Sequence, residues 1–195
     1  MRVFAALSLS AEAADHLNLA VQSVRASTRV PLRWVHHAQW HITMAFYGEV
    51  PAAEVGELAD SLTEVAARSR PMSLHLSGAG SFAGRTLWMG VAGRTRDDDE
   101  ALVDLMRSCT GLGADRERQR AHLTVARAGR AGGGRRSGRG GSGGGSELAH
   151  LVRALSVYRG PWWQVDRLHL FSSELGAGPG GGPLHTELHS VPLGG

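Results

Sequence analysis

Trp40-His41-Ile42-Thr43-Met44 returns later in the chain as Ala121-His122-Leu123-Thr124-Val125. Each copy reads His-apolar-Thr-apolar inside an apolar run. Side chains of a β-strand alternate between its two faces. His41 and Thr43 therefore share one face, with Ile42 and Met44 on the other. His122 and Thr124 repeat this, with Leu123 and Val125 behind them. Each strand can bury its aliphatic side and present an imidazole and a hydroxyl to a cleft. Two such strands facing each other assemble a set suited to acid–base chemistry on an anion. One imidazole takes a proton, the other gives one, and the hydroxyls hold the oxygens.

Working outward, strand and helix signals alternate. Val3 to Leu9 reads as an apolar strand, and Ser10 can cap a helix from Ala11 to about Val24 that Pro31 ends. The first motif strand, His41 to Tyr47, stops at Gly48. Pro51 opens a helix to about Arg68. Met72 to Ser77 is a strand, Gly78 to Arg85 a glycine-rich loop, and Thr86 to Ala92 a strand containing Trp88. Asp97, Asp98, Asp99 and Glu100 begin a helix, where carboxylates complement the dipole. Its apolar stripe is Leu102, Leu105, Met106 and Cys109. After the second motif strand come a helix on Leu148, Leu151, Val152 and Leu155, a strand from Val165 to Phe171, and a last strand from Leu184 to Val191. The fold class is α+β. The order suggests a rough internal duplication with one motif in each half. Two lobes would face a central cleft, within one domain spanning residues 1–195.

Composition bounds the function. The 195 residues carry a formal charge of +3, and every basic side chain except histidine is arginine. Residues 129–146 hold ten glycines and four of those arginines with no acid, so this insert is expected to be disordered. Arginine-rich segments of this kind can bind RNA. The rest of the chain is near neutral, so net charge alone makes no case for a nucleic-acid surface. One cysteine excludes an internal disulfide; buried and inert at the end of its helix, it suits a reducing cytoplasm. The apolar run at the N-terminus is too short for a signal peptide or a membrane span, so a cytoplasmic location is expected; a monomer is expected as well.

His36, His37 and His41 lie close in sequence, and His185 and His189 are four apart. On strands neither spacing forms a tight chelate, and no cysteine or carboxylate joins them in a zinc pattern. No metal or cofactor is expected. His75 and His169 are expected on strand surfaces.

With these motifs in place, the chain resembles the 2H phosphoesterases, and within them the bacterial RNA 2′,3′-cyclic phosphodiesterases of the LigT type, also called the 2′-5′ RNA ligase family. The likeness extends through Arg2-Val3-Phe4-Ala5-Ala6-Leu7, Arg33-Trp34-Val35 and Phe46-Tyr47-Gly48-Glu49-Val50. It continues in Leu87-Trp88-Met89-Gly90-Val91, His122 to Arg127 and Leu170 to Gly176. The resemblance implies a pseudo-symmetric bilobal fold, with two antiparallel sheets facing the cleft and helices outside. It implies metal-independent opening of 2′,3′-cyclic phosphates on RNA ends or small nucleotides, with His122 as proton acceptor and His41 as donor. The reverse reaction would be a 2′-5′ ligation. Thr43, Thr124 and Arg127 are the phosphate contacts, and Trp40 and Phe82 are candidates for stacking on a base. One departure stands out: Ala45 occupies a position where the family often has Lys or Arg. The alternatives are the same chemistry on another cyclic or 2′-5′-linked nucleotide, or a silent RNA-binding protein.

Overall fold

A computed structural model describes residues 1–28, 32–114, 120–128, 143–178 and 181–194 of the chain. The elements run β1 (Arg2–Leu7), α1 (Ala11–Ser27), β2 (Leu32–Trp34), β3 (Ile42–Glu49), α2 (Val55–Ala67), β4 (Met72–Phe82) and β5 (Thr86–Gly93). Then follow α3 (Arg96–Thr110), β6 (His122–Ala128), α4 (Gly143–Leu155), β7 (Trp163–Val165), β8 (Arg167–Glu174) and β9 (Leu184–Pro192). Local chemistry sets the helix starts. The Ser10 hydroxyl accepts from the Ala13 N–H at 3.1 Å. Thr95 and Asp98 form a reciprocal capping box at the start of α3. Burial opposes the charge on Asp98, but hydrogen bonds from Thr95, the Ser73 backbone and Arg70 outweigh it and hold the carboxyl below its ordinary value.

The strands make one curled sheet in the order β7-β4-β5-β6-β3-β1-β8-β9, with β2 also on β6. The two expected sheets are thus joined, at the pair Ile42–Leu123 between β3 and β6. One lobe holds β1, β3, β8 and β9; the other holds β2, β4, β5, β6 and β7. Each contains one motif strand, but the lobes are not the two halves of the sequence. The first lobe is closed by the end of the chain, because β8 pairs with β1. Helices cover one side: α2 lies against β8 and β9, α3 against β3, β4 and β5, and α4 against β4. Val3, Ala5, Leu7, Ile42, Leu74, Met89, Leu123 and Leu170 face those helices and form the core. The other side of the sheet is the concave cleft.

Some local expectations change. The loop expected at 78–85 is mostly strand, because β4 continues to Phe82 and pairs with β5 as far as Thr86. A register shift between Leu76 and Ala79 lets it bend there, with Gly78 at φ +67°. The last helix starts at Gly143, so the end of the expected insert is helical; residues 129–142 lie outside the described residues. His75 is not a surface residue: it is 6% exposed and stacks on Trp162. His169 lies on the strand surface as expected, half-buried on the face of β8 away from the core, with its Nδ1 2.8 Å from a Glu187 carboxylate oxygen. Cys109 is buried as expected, which pushes its thiol up to about 12. No described helix is long and apolar enough to cross a membrane.

Candidate active site

The pair Ile42–Leu123 sets the geometry. Both side chains are fully buried in the core. Carrying that antiparallel register one residue each way puts His41 opposite Thr124 and Thr43 opposite His122. Two imidazoles and two hydroxyls thus form a crossed square on the cleft face.

The imidazoles are held in the same way. His41 Nδ1 donates to the Gln39 carbonyl at 2.8 Å, and His122 Nδ1 to the Arg120 carbonyl at 2.7 Å. A carbonyl can only accept, so the proton of each neutral ring sits on Nδ1. This leaves Nε2 as the atom that takes or gives a proton. Burial lowers the His41 pKa to about 4. The Gln39 carbonyl opposes this, while the charges of His185, Arg127 and His122 add to it. In the free protein His41 is therefore neutral near pH 7.

Arg127 reaches the same face through a bulge. The β5–β6 register shifts between the pairs Leu87–Ala126 and Trp88–Thr124. Val125 and Ala126 are both buried in consequence, and exposed Arg127 turns to the side of His122 and Thr124. Strand β3 repeats the device: its register with β1 shifts between Ala5 and Ala6, and Met44 and Ala45 are consecutively buried. Phe46 is the counterpart of Arg127 there, with the Arg2 guanidinium 5.2 Å from its ring. Ala45, noted above as the departure from the usual Lys or Arg, points into the core.

Residues 7–88 match the family model described as LigT like phosphoesterase. An RNA 2′,3′-cyclic phosphodiesterase of Geobacillus stearothermophilus is 38% identical over 64% of this chain and 41% of its own length. One of Aeropyrum pernix is 30% identical over 52% of this chain and 60% of its own. The alignments thus span less than two thirds of either relative. The fold matches a Thermus thermophilus structure at TM-score 0.71 and 23% identity, covering 100% of this chain and 99% of that one. It also matches E. coli LigT solved with phosphate, at TM-score 0.65 and 23% identity over 98% and 96%. Over residues 7–88 the chain is thus similar to the LigT-like phosphoesterases, and over its whole length it has the fold of the LigT structures.

In this cleft the expected residues meet, with one exception. Phe82 is 37% exposed, edge-on to His122 at 4.9 Å and stacked on Trp88 at 5.2 Å. Trp40 is not a stacking surface: it is 7% exposed and belongs to the core. It lies one residue before His41, so alternation turns it to the helix side. Three contributors were not legible. Phe4, in what read as a wholly apolar strand, faces the cleft, with ring centroids 4.7 Å from His41 and 4.9 Å from His185. His185 sits edge-on to His41 at 4.9 Å, and its backbone N–H donates to the Gln39 side chain at 2.9 Å. Gly80 makes room for Trp88, since a Cβ there would overlap the indole. Only alternation along β1 and β9 hinted at any of these, and it left their neighbours unnamed.

Proposed function

We propose that this LigT-like protein opens 2′,3′-cyclic phosphates on RNA ends or nucleotides, without a metal, to leave a 2′-phosphate. The observation that carries the reading is the crossed square of His41, Thr43, His122 and Thr124, with both Nδ1 atoms committed to carbonyls. The names of the Geobacillus and Aeropyrum relatives support the substrate class. Water attacks phosphorus as His122 Nε2 takes its proton. The bond from phosphorus to the ribose 3′ oxygen breaks, and His41 Nε2 protonates that oxygen. Thr43 and Thr124 donate to the non-bridging oxygens as charge builds there, and Arg127 offsets that charge. The reading includes a monomer acting in the cytoplasm on RNA ends or free cyclic nucleotides. In the test, nucleoside 2′,3′-cyclic phosphates are incubated with and without excess EDTA, and the products are separated. The expected product is the 2′-phosphate, formed equally in both. A 3′-phosphate product would mean that the bond to the 2′ oxygen breaks and would overturn the proposed direction of opening, and loss restored by a divalent ion would replace the metal-free mechanism.

The donor role sets a condition on pH. A donor must be protonated, and free His41 has a pKa of about 4. The negative charge of a bound phosphodiester opposes that depression and raises the value. Followed by NMR, the His41 ring is expected to titrate near 4 in the free protein and distinctly higher with a nucleoside 2′-phosphate bound. An unchanged midpoint would assign the donor role elsewhere. The sign for stability follows: the folded pKa lies below the unfolded value near 6.5, so His41 costs nothing above that pH. It destabilises the fold progressively as pH falls from 6.5 towards 4.

A further inference from the structure

A second aromatic site lies on the cleft side, away from the catalytic square. Met72 pairs with Val165 and Leu74 with Trp163. One step further sets His75 opposite Trp162, and their rings are 3.9 Å apart at 35°. His75 is 6% exposed, yet Trp162 keeps 41% of its surface in solvent. The imidazole is the floor on which the indole lies. Trp163 points into the core, so Trp162 points to the concave side. The ladders confirm the side: Ala92 pairs with His75, and Gly90, two residues back on the same strand face, pairs with His122.

Three strand spacings separate Trp162 from His122, which with the offset along the strands amounts to about 15 Å. The path between is cationic. Arg120 precedes His122 by two residues on the same face, with its guanidinium 4.9 Å from the Trp88 ring. Arg159 stands at the bridge to Ser77, beside His75, whose pKa is lowered first by burial and then by this charge. Neither arginine makes a salt bridge to a described residue. The nearby acid Asp99 accepts from the Gly93 N–H at 2.6 Å. An exposed indole, two guanidinium groups with no carboxylate partner among the described residues and continuity with the phosphate site suit a single-stranded RNA, with bases on the aromatic faces and phosphates on the arginines.

We propose that Trp162, laid on His75, is a distal stacking platform for an upstream base of an RNA whose cyclic phosphate end occupies the His41–His122 cleft. It rests on the reading above that RNA ends are the substrate. Phe82, beside His122, is placed to meet the base that bears the phosphate, and Trp162 lies beyond that nucleoside's reach.

The test compares wild type, Trp162→Ala and Trp162→Phe on a mononucleotide and a tetranucleotide, each with a 2′,3′-cyclic phosphate. Binding of the tetranucleotide 2′-phosphate is followed by fluorescence anisotropy. Stacking on an aromatic is worth about tenfold or more in affinity per base. Trp162→Ala should raise KM and Kd for the tetranucleotide about tenfold and leave mononucleotide kcat/KM unchanged, and Trp162→Phe should keep most of the wild-type affinity. Equal losses on both substrates would make Trp162 a structural residue and overturn the proposal, as would unchanged tetranucleotide binding. Were wild type to cleave neither substrate while binding the tetranucleotide through Trp162, the platform would stand and the catalytic reading would fall. Wild type that binds no RNA would end both.

Discussion

His41→Ala and His122→Ala are each expected to lose about 10²–10⁴-fold in kcat, the usual range for removing a positioned acid or base. Both proteins should remain folded. His41 and His122 sit on the cleft side of the sheet, and the core beneath them is built by Ile42, Met44, Leu123 and Val125. The two losses should also fail to add in the double variant, because acid and base act on one displacement. The measurement is steady-state turnover of a nucleoside 2′,3′-cyclic phosphate, with circular dichroism as the check on folding. A variant retaining a third of wild-type turnover would show that its histidine does not transfer a proton in the rate-limiting step. Phe4 supplies a contrast. It touches His41 and His185 through ring contacts only, so truncating it disturbs the placement of His41 without removing a proton carrier.

Leu123→Ala is expected to destabilise the fold by about 2–5 kcal/mol, the range for emptying a fully buried leucine site. Leu123 is 0% exposed and pairs with Ile42, also 0% exposed, where the two lobes of the sheet join. The cavity would open directly beneath the catalytic square, so turnover of the folded fraction should fall as well. Leu123→Ile keeps the volume and should cost under about 1.5 kcal/mol. Urea unfolding gives both values through the shift in midpoint at constant m. A loss below about 1 kcal/mol for the alanine variant would mean that the junction relaxes around the gap and does not brace the site.

Much of the fold was readable from the chain. The start of α1 at Ala11 follows from Ser10, because a cap is a bond between residues three apart, and the carboxylates from Asp97 onward mark the first turn of α3, whose Thr95–Asp98 box only the structure revealed. The stripe Leu102, Leu105, Met106 and Cys109 predicts the buried face of α3, and all four are buried. The expected loop at 78–85 was misread because glycines suggest a turn. In β4 they serve instead to bend a strand and, at Gly80, to clear space for Trp88.

By itself the sequence determined that two His-x-Thr strands exist, and which of their side chains share a face. That information is local, carried by a period of two. It did not determine that β3 and β6 are neighbours, that β8 and β9 close the first lobe from the far end of the chain, or that His185 meets His41. Nor did it show that a bulge after Thr124 turns Arg127 to the cleft, or that His75 is covered by Trp162. Each of these depends on which strands hydrogen-bond and in what register. That choice is made by burying the helix-facing side chains of all the strands against one core, so it belongs to the tertiary structure.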